Sequence, residues 1–409
     1  MIVVLFTASF PYTRGGERNF LEPEIPYLAE AFERVVVVPE RRPDPFTYAG
    51  PEVQVENGYS NYLLEHDRVR TFSRGIFSRQ VYREILAKPW LLTKPAYLKR
   101  LLFFTGQAEL TRSWLVSWLG KQELRARDCL FYTYWFDQGS FGIGLTKRYV
   151  PELKLVSRIH RYDLYEELRV PPYWPCREAA LGATDFLFSA SEAGTDYLCK
   201  KYPELAGRMS TARLGVGDLG ILTRPSSDGI YRVVSCSRIA PVKRLDLIMD
   251  GIKMAAQRRP GQKFEWRHFG KGDADSLQAA MDYVPANMTV RILDYSSQAD
   301  LFRYYRENPV DVFINVSASE GTPVSIMEAI SCGIPVVATA VGGNTEIVSE
   351  QNGVLVDANP SREQIADALL AYWDEPRQRR LGSREVWDHK YNAGRNYPAF
   401  AKRLVEIRG

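Results

Sequence analysis

Two carboxylates, Glu320 and Glu328, frame the segment EGTPVSIME. Pro323 stands where a helix should begin, since proline is tolerated at the first helical position. The backbone N–H groups of Gly321, Thr322 and Val324 then fall at a helix N-terminus; Pro323 has none to give. Free amides and the helix dipole both favour negative charge there. A carboxylate on each side can accept hydrogen bonds from hydroxyls of a ligand whose phosphates sit between them. Taken alone, the pair reads more simply as a helix cap, Glu320, and a solvated helix residue, Glu328. A second constellation lies in VVSCSRIAPVKRL, where Arg238 and Lys243 follow a short apolar run. Two cations at that place can clamp a diphosphate and stabilise it as a leaving group. Arg244 adds a third charge of open role, and a solvated basic loop is the alternative for all three.

The pattern S-x-x-E-G-x-P-x-x-x-x-E-A, followed by C-G-x-P-V-V-A-T and G-G-N-x-E-I-V, resembles the family 4 retaining glycosyltransferases of the GT-B fold. The resemblance implies that Glu320 and the loop Gly321, Thr322, Pro323 and Val324 contact the donor sugar and phosphate. It implies that Glu328 binds the nucleotide ribose and that Arg238 and Lys243 neutralise the diphosphate. The family also carries a glycine-rich loop beside the donor phosphate, which points to Gly15 and Gly16 in FPYTRGGERNF. A family histidine near the reacting sugar carbon matches His160 in SRIHRYDLYEE. The family's V-G-x-G turn is similar to RHFGKG, which makes His268 and Gly270 donor-pocket candidates. Gly342 and Gly343 are expected to form a structural turn. No cofactor and no catalytic metal are implied. The Asp273–Asp275 triplet opens a helix, where acids cap the N-terminus, rather than holding a metal.

The elements that must position these residues read as strands alternating with helices. Strands are expected at 2–6, 34–38, 129–133, 153–157 and 185–190, then at 231–236, 264–269, 288–293, 311–316 and 334–338. Such alternation implies parallel sheets covered on both faces. The Gly/Ser/Asp/Pro-rich stretch 217–229 is the best boundary. The expected fold class is therefore α/β, of GT-B type: two Rossmann-like doubly wound domains facing a central cleft. Residues 1–216 would form the acceptor half, with a crossover helix at 390–409, and residues 217–389 the nucleotide-sugar half. Ligands of such sheets bind outside the carboxyl ends of the strands. In 132–137, YTYWFD, aromatic faces suit sugar rings, and an aromatic core is the equal alternative.

The net charge of +4 over 409 residues is too small to argue for nucleic acid. The charge is uneven, with 13 Lys/Arg and four acids between 66 and 127. That stretch also holds Trp90, Trp114 and Trp118, a composition that suits an anionic membrane surface. A solvated helical insertion is the alternative. Five cysteines without a C-x-x-C fit reduced thiols of a cytosolic protein. The N-terminal apolar run lacks a basic region before it and reads as a strand, not a signal peptide. The expected partners are a nucleotide sugar, a glycan or lipid-linked acceptor, and a membrane surface contacted from the cytoplasmic side. No carboxylate of the first half stands out as a nucleophile. A sugar-nucleotide epimerase and a non-catalytic scaffold in polysaccharide assembly are the rival readings.

Overall fold

The computed structural model describes all residues except 13–16, 44, 47, 49, 51–52, 123, 273–276, 278–280, 294–296 and 372–375. The chain divides into two compact units, 1–213 with 397–409, and 214–396. The first division falls a few residues before the Gly/Pro-rich stretch at 217–229.

The first unit is built on a seven-stranded, all-parallel sheet: β1 (Ile2–Thr7), β2 (Arg34–Pro39), β3 (Gln54–Val55), β4 (Cys129–Thr133), β5 (Lys154–Ile159), β6 (Phe186–Ser189) and β7 (Met209–Thr211). Their order is β3-β2-β1-β4-β5-β6-β7. Strands β1 and β4 are buried along their whole length, as continuous apolar runs in two-sided sheets require. Chain order reverses between β1 and β4, so the loops after them diverge and leave room for a ligand. Between β3 and β4 the chain inserts a group of helices, including Arg68–Ile76, Arg79–Ala87 and the long Pro95–Lys121. No described helix is long and apolar enough to cross a membrane.

The last helix, Ala393–Arg408, delivers Phe400, Ala401 and Leu404 into the core of the first unit, beside Val3, Leu130 and Tyr132. Beneath it lies a fully buried ion pair, Arg158 with Glu24, whose carboxylate also accepts the Tyr132 hydroxyl at 3.2 Å. The Arg158 guanidinium lies 4.1 Å from the Phe400 ring centre. A buried charge needs a partner of this kind, because removing one member strands the other without water.

The second unit holds a six-stranded parallel sheet: β8 (Ile230–Cys236), β9 (Lys263–Phe269), β10 (Met288–Leu293), β11 (Val312–Asn315), β12 (Val336–Thr339) and β13 (Gly353–Val356). Their order is β10-β9-β8-β11-β12-β13. Here the reversal falls between β8 and β11. The loops that follow β9, β8, β11 and β12 therefore emerge side by side, and they carry Gly270, then Arg238 and Lys243, then Glu320, then Gly342.

Candidate functional site

The centre of the second unit's site is the Glu320 carboxylate. It is 9% exposed, and its Oε1 receives three donors. These are Lys243 Nζ at 2.5 Å, Ser317 Oγ at 2.7 Å and Asn315 Nδ2 at 3.0 Å. Asn315 ends β11 and Ser317 opens the loop after it, so two of the three donors are fixed by the strand itself. Among the described residues Oε2 has no donor, so one carboxylate oxygen is anchored and the other is not.

The helix after this loop spans Val324–Ser331, with Pro323 as its N-cap in extended conformation. The helix thus starts one residue later than the sequence suggested. Pro323 keeps a helix-incompatible ψ of 102°, and its carbonyl instead accepts from the Ile326 and Met327 amides. The N–H groups of Gly321, Thr322, Val324 and Ser325 have no acceptor among the described residues. Four amides without an acceptor among the described residues at a helix start can hold an anion.

Two glycines press on this loop from behind. Gly343 N–H donates to the Gly321 carbonyl at 2.8 Å. A side chain at Gly342 would lie 2.0 Å from the Glu320 carbonyl, and one at Gly343 2.1 Å from that of Gly321. Gly342 also has φ +48°, in the left-handed region. The pair therefore sets the position of the anion-binding turn by close backbone approach.

Lys243 ends a short turn, Pro241–Lys243, and Arg244 follows with φ 48° and ψ 49°. The guanidinium of Arg244 is committed to main-chain carbonyls: Val316 at 2.7 Å, Ser317 at 2.8 Å and Ala358 at 2.8 Å. Ala318 N–H adds a bond to the Val242 carbonyl at 2.8 Å. The third cation thus has a structural task, which is to pin the lysine-bearing turn against the Glu320 loop. Arg238, by contrast, is exposed and has no side-chain partner among the described residues.

Glu328 is 4% exposed, and its carboxylate accepts the Gln298 amide. Burial pushes its carboxyl up to about 7, and the Gln298 hydrogen bond opposes the rise. Its folded pKa thus lies above the unfolded value of about 4.3. The folded state binds the extra proton across that window, so stability falls as pH rises from about 4.3 to 7. Glu328→Gln is expected to raise the melting temperature at pH 8 and to change it little at pH 4, while weakening nucleotide binding. Melting curves at both pH values, with and without nucleotide, check this. A lower melting temperature at pH 8 would contradict it.

His268 does not present a surface to a ligand, contrary to expectation. It is fully buried, with Nδ1 2.8 Å from Ser235 Oγ and Nε2 3.1 Å from the Ser237 carbonyl. Burial pulls its pKa down to about 4, so it stays neutral and braces the turn that leads to Arg238. A side chain at Gly270 would sit 1.8 Å from the Ser237 carbonyl, so glycine there serves the same turn. Gly15, Gly16 and Asp273–Asp275 lie outside the described residues.

In the first unit, His160 follows β5, with its ring 4.7 Å from the rings of both Tyr134 and Trp135. Its main-chain N–H donates to Asp163 Oδ1 at 2.6 Å. Burial, and then the Arg158 charge, pull its pKa down to about 3. Its ring bonds the Tyr134 main chain, while Nε2 is buried without a hydrogen-bond partner among the described residues. A neutral imidazole that donates through Nδ1 leaves Nε2 as an acceptor for a ligand hydroxyl. Of the aromatic run after β4, Tyr132, Tyr134 and Phe136 are core residues, and Trp135 alone is partly exposed. Its indole donates to Glu17 Oε1 at 2.7 Å. The same carboxylate accepts the N–H groups of Ala8, Ser9 and Phe10 at 2.8–3.0 Å. Glu17 therefore organises the loop after β1, a role that nothing in its local sequence announces.

Residues 231–375 match the family described as Glycosyl transferases group 1. The GtfA subunit of a UDP-N-acetylglucosamine–peptide N-acetylglucosaminyltransferase from Streptococcus gordonii is 26% identical over 241 residues. That alignment covers 55% of this chain and 45% of the relative, so the chain spans less than half the length of the curated relative it matches. Over its whole length the structure is similar to the apo form of WaaB, a lipopolysaccharide outer core galactosyltransferase, at a TM-score of 0.70 and 12% identity, covering 100% of both chains. It is also similar to Anabaena HepE in complex with UDP-glucose, at a TM-score of 0.62 and 15% identity, covering 99% of this chain and 100% of that one. The matched stretch, 231–375, thus resembles a group 1 glycosyltransferase domain, and the chain has the two-sheet GT-B fold.

Proposed function

We propose that the chain transfers a sugar from a nucleotide-diphosphate sugar to a hydroxyl of a glycan or lipid-linked acceptor, in the assembly of a bacterial surface polysaccharide. The second unit holds the donor, and no metal is needed. The observation that carries this reading is the pairing of four free amides at the Val324–Ser331 helix start with a Glu320 carboxylate anchored through one oxygen only. Phosphate oxygens suit the amides, and a sugar hydroxyl suits Oε2. The buried Glu328 carboxylate is assigned to the ribose hydroxyls, which replace the water it has lost.

Lys243 and Arg238 supply the charge that stabilises the departing diphosphate, and they differ in kind. Lys243 is set in place by Glu320, whereas Arg238 is free to swing onto a ligand. Retention follows from same-face attack, with the leaving phosphate taking the acceptor's proton. His160, with its open Nε2, is assigned to a sugar hydroxyl. Screening a panel of nucleotide sugars for nucleotide release tests the reading. Release that depends on an added acceptor supports transfer. Conversion of the sugar without acceptor would point to an epimerase, and nucleotide-induced thermal stabilisation with no turnover would point to a scaffold.

The helices inserted between β3 and β4 expose Val69, Phe77, Leu86 and Leu92, each more than 60% accessible, amid a run of arginines and lysines. A cavity of about 750 Å³ beside these helices is lined by Arg74, Arg79, Arg83 and Arg112 from them and by Arg148, which lies after β4. Apolar residues flanked by basic ones suit an anionic bilayer surface, which gives the proposed location: cytoplasmic, on the inner face of the membrane. Vesicles containing phosphatidylglycerol are expected to sediment the protein at low salt and release it at high salt. Absence of co-sedimentation at low salt would end this idea.

A further inference from the structure

Glu320 and Glu328 are held in different ways. Glu320 takes a cation and two neutral donors, all placed by β8, β11 and the loops that follow them. Glu328 lies buried in the helix Val324–Ser331, and its Oε1 accepts the side-chain amide of Gln298. Among the described residues nothing donates to its Oε2. Gln298 is the first residue of the helix Gln298–Glu307, which follows β10 at the edge of the sheet. The buried face of that helix fixes it: Leu301, Phe302 and Tyr305 are in the core, and the Tyr305 carbonyl accepts Thr223 Oγ1 at 3.0 Å. The loop after β10 thus sends one neutral donor to a carboxylate placed by β11.

Nothing else offsets the burial of this acid. Burial raises the Glu328 carboxyl to about 7, and the Gln298 hydrogen bond alone opposes the rise. Three titratable groups feel its charge: Cys236 at the end of β8, Tyr305, and Cys332 just past the Val324–Ser331 helix. Burial pushes all three above their usual ranges, so they stay neutral near pH 7. Lys243, Asp218, Arg380 and Arg384, the charged side chains of this region among the described residues, act on the two thiols and not on Glu328. A buried carboxylate with no cation depends on its hydrogen-bond donors.

We propose that Gln298 is the positioning residue of the ribose grip: it occupies one oxygen of the Glu328 carboxylate, presents the other to the ribose hydroxyls, and so couples the loop after β10 to nucleotide binding. This deepens the donor reading and rests on it. Hydroxyls bond an ionised acceptor more strongly than a neutral one. Nucleotide therefore favours the ionised form of Glu328, and the ribose contribution to binding strengthens as pH rises through the Glu328 transition. A stronger donor at 298 moves that transition down, and a missing donor moves it up.

The test is a set of calorimetric titrations of the 409-residue chain at pH 6, 7 and 8. UDP, GDP and ADP are compared first, and the one bound most tightly is run against its 2′,3′-dideoxy counterpart. Both probes carry the same diphosphate, so its own ionisation cancels from the ratio of their dissociation constants. In the wild-type chain the preference for the ribonucleotide is expected to grow about tenfold from pH 6 to pH 8. Gln298→Met keeps the length of the side chain and removes the donor. It should cut the preference at pH 7 at least about threefold and recover part of it at higher pH. Gln298→Lys puts a cation in place of a neutral donor. Its preference should be high already at pH 6 and change less than about twofold up to pH 8. A merely structural role would weaken both probes alike without moving either pH curve. That result, a flat wild-type preference, or wild-type curves in both variants would overturn the proposal and leave the donor reading standing. Binding of none of the three nucleotides would sink the donor reading, and the proposal with it.

Discussion

Replacing Lys243 by alanine is expected to lower turnover by roughly 10²–10³-fold, about 2.7–4 kcal/mol of transition-state stabilisation, the scale seen when one oxyanion donor is removed. The fold should survive. Glu320 keeps its hydrogen bonds from Ser317 and Asn315, and Arg244 continues to tie the turn to the carbonyls of Val316 and Ser317. Arg238→Ala should also lose activity, with stability changed by no more than about 0.5 kcal/mol, since the side chain is exposed and has no partner among the described residues. Steady-state kinetics with the accepted donor, beside a denaturant melt, separates the two effects. Unchanged turnover in both variants would remove the diphosphate-clamping role.

Gly343→Ala is the second substitution with a large expected effect. Its added methyl would meet the Gly321 carbonyl at 2.1 Å, a backbone atom that cannot rotate away. The turn carrying the free amides must then shift. A displacement that breaks the Gly343 N–H to Gly321 hydrogen bond costs about 1 kcal/mol in the fold. Nucleotide affinity should fall at least about tenfold, because several phosphate contacts depend on one loop position. Gly342→Ala adds about 1–2 kcal/mol for a left-handed backbone at a residue with a side chain. Calorimetric titration with a nucleoside diphosphate measures the loss. Wild-type affinity in Gly343→Ala would show that the 320–324 turn does not hold the phosphates.

The ten strands expected from the sequence all appear, and three others were missed. These are Gln54–Val55, Met209–Thr211 and Gly353–Val356, and each lies at a sheet edge. Central parallel strands are buried on both faces and show as apolar runs, whereas these three span only two to four residues, too few for a run to stand out. The features that make the candidate site are visible in the sequence where they are local. Glu320, the Gly321–Val324 turn and Lys243 lie close along the chain to the elements that place them. What stayed hidden depends on distant partners. Gln298 reaches Glu328 from another helix, Arg244 spends its charge on carbonyls from two other loops, and Glu17 gathers the amides of residues 8–10. His268 misled for the same reason, since only the fold shows that Ser235 and Ser237 occupy both ring nitrogens.

The central claim is that the second unit grips a diphosphate between the 321–325 amides and Lys243. A crystal structure with the nucleoside diphosphate of the accepted donor tests it most directly. The expected result is a phosphate oxygen within hydrogen-bond distance of the Gly321 or Thr322 amide and of Lys243 Nζ, with Glu320 still anchored by Ser317 and Asn315 and the ribose on Glu328. A diphosphate bound away from this turn, with Lys243 remaining 2.5 Å from Glu320 and out of contact with it, would contradict the claim.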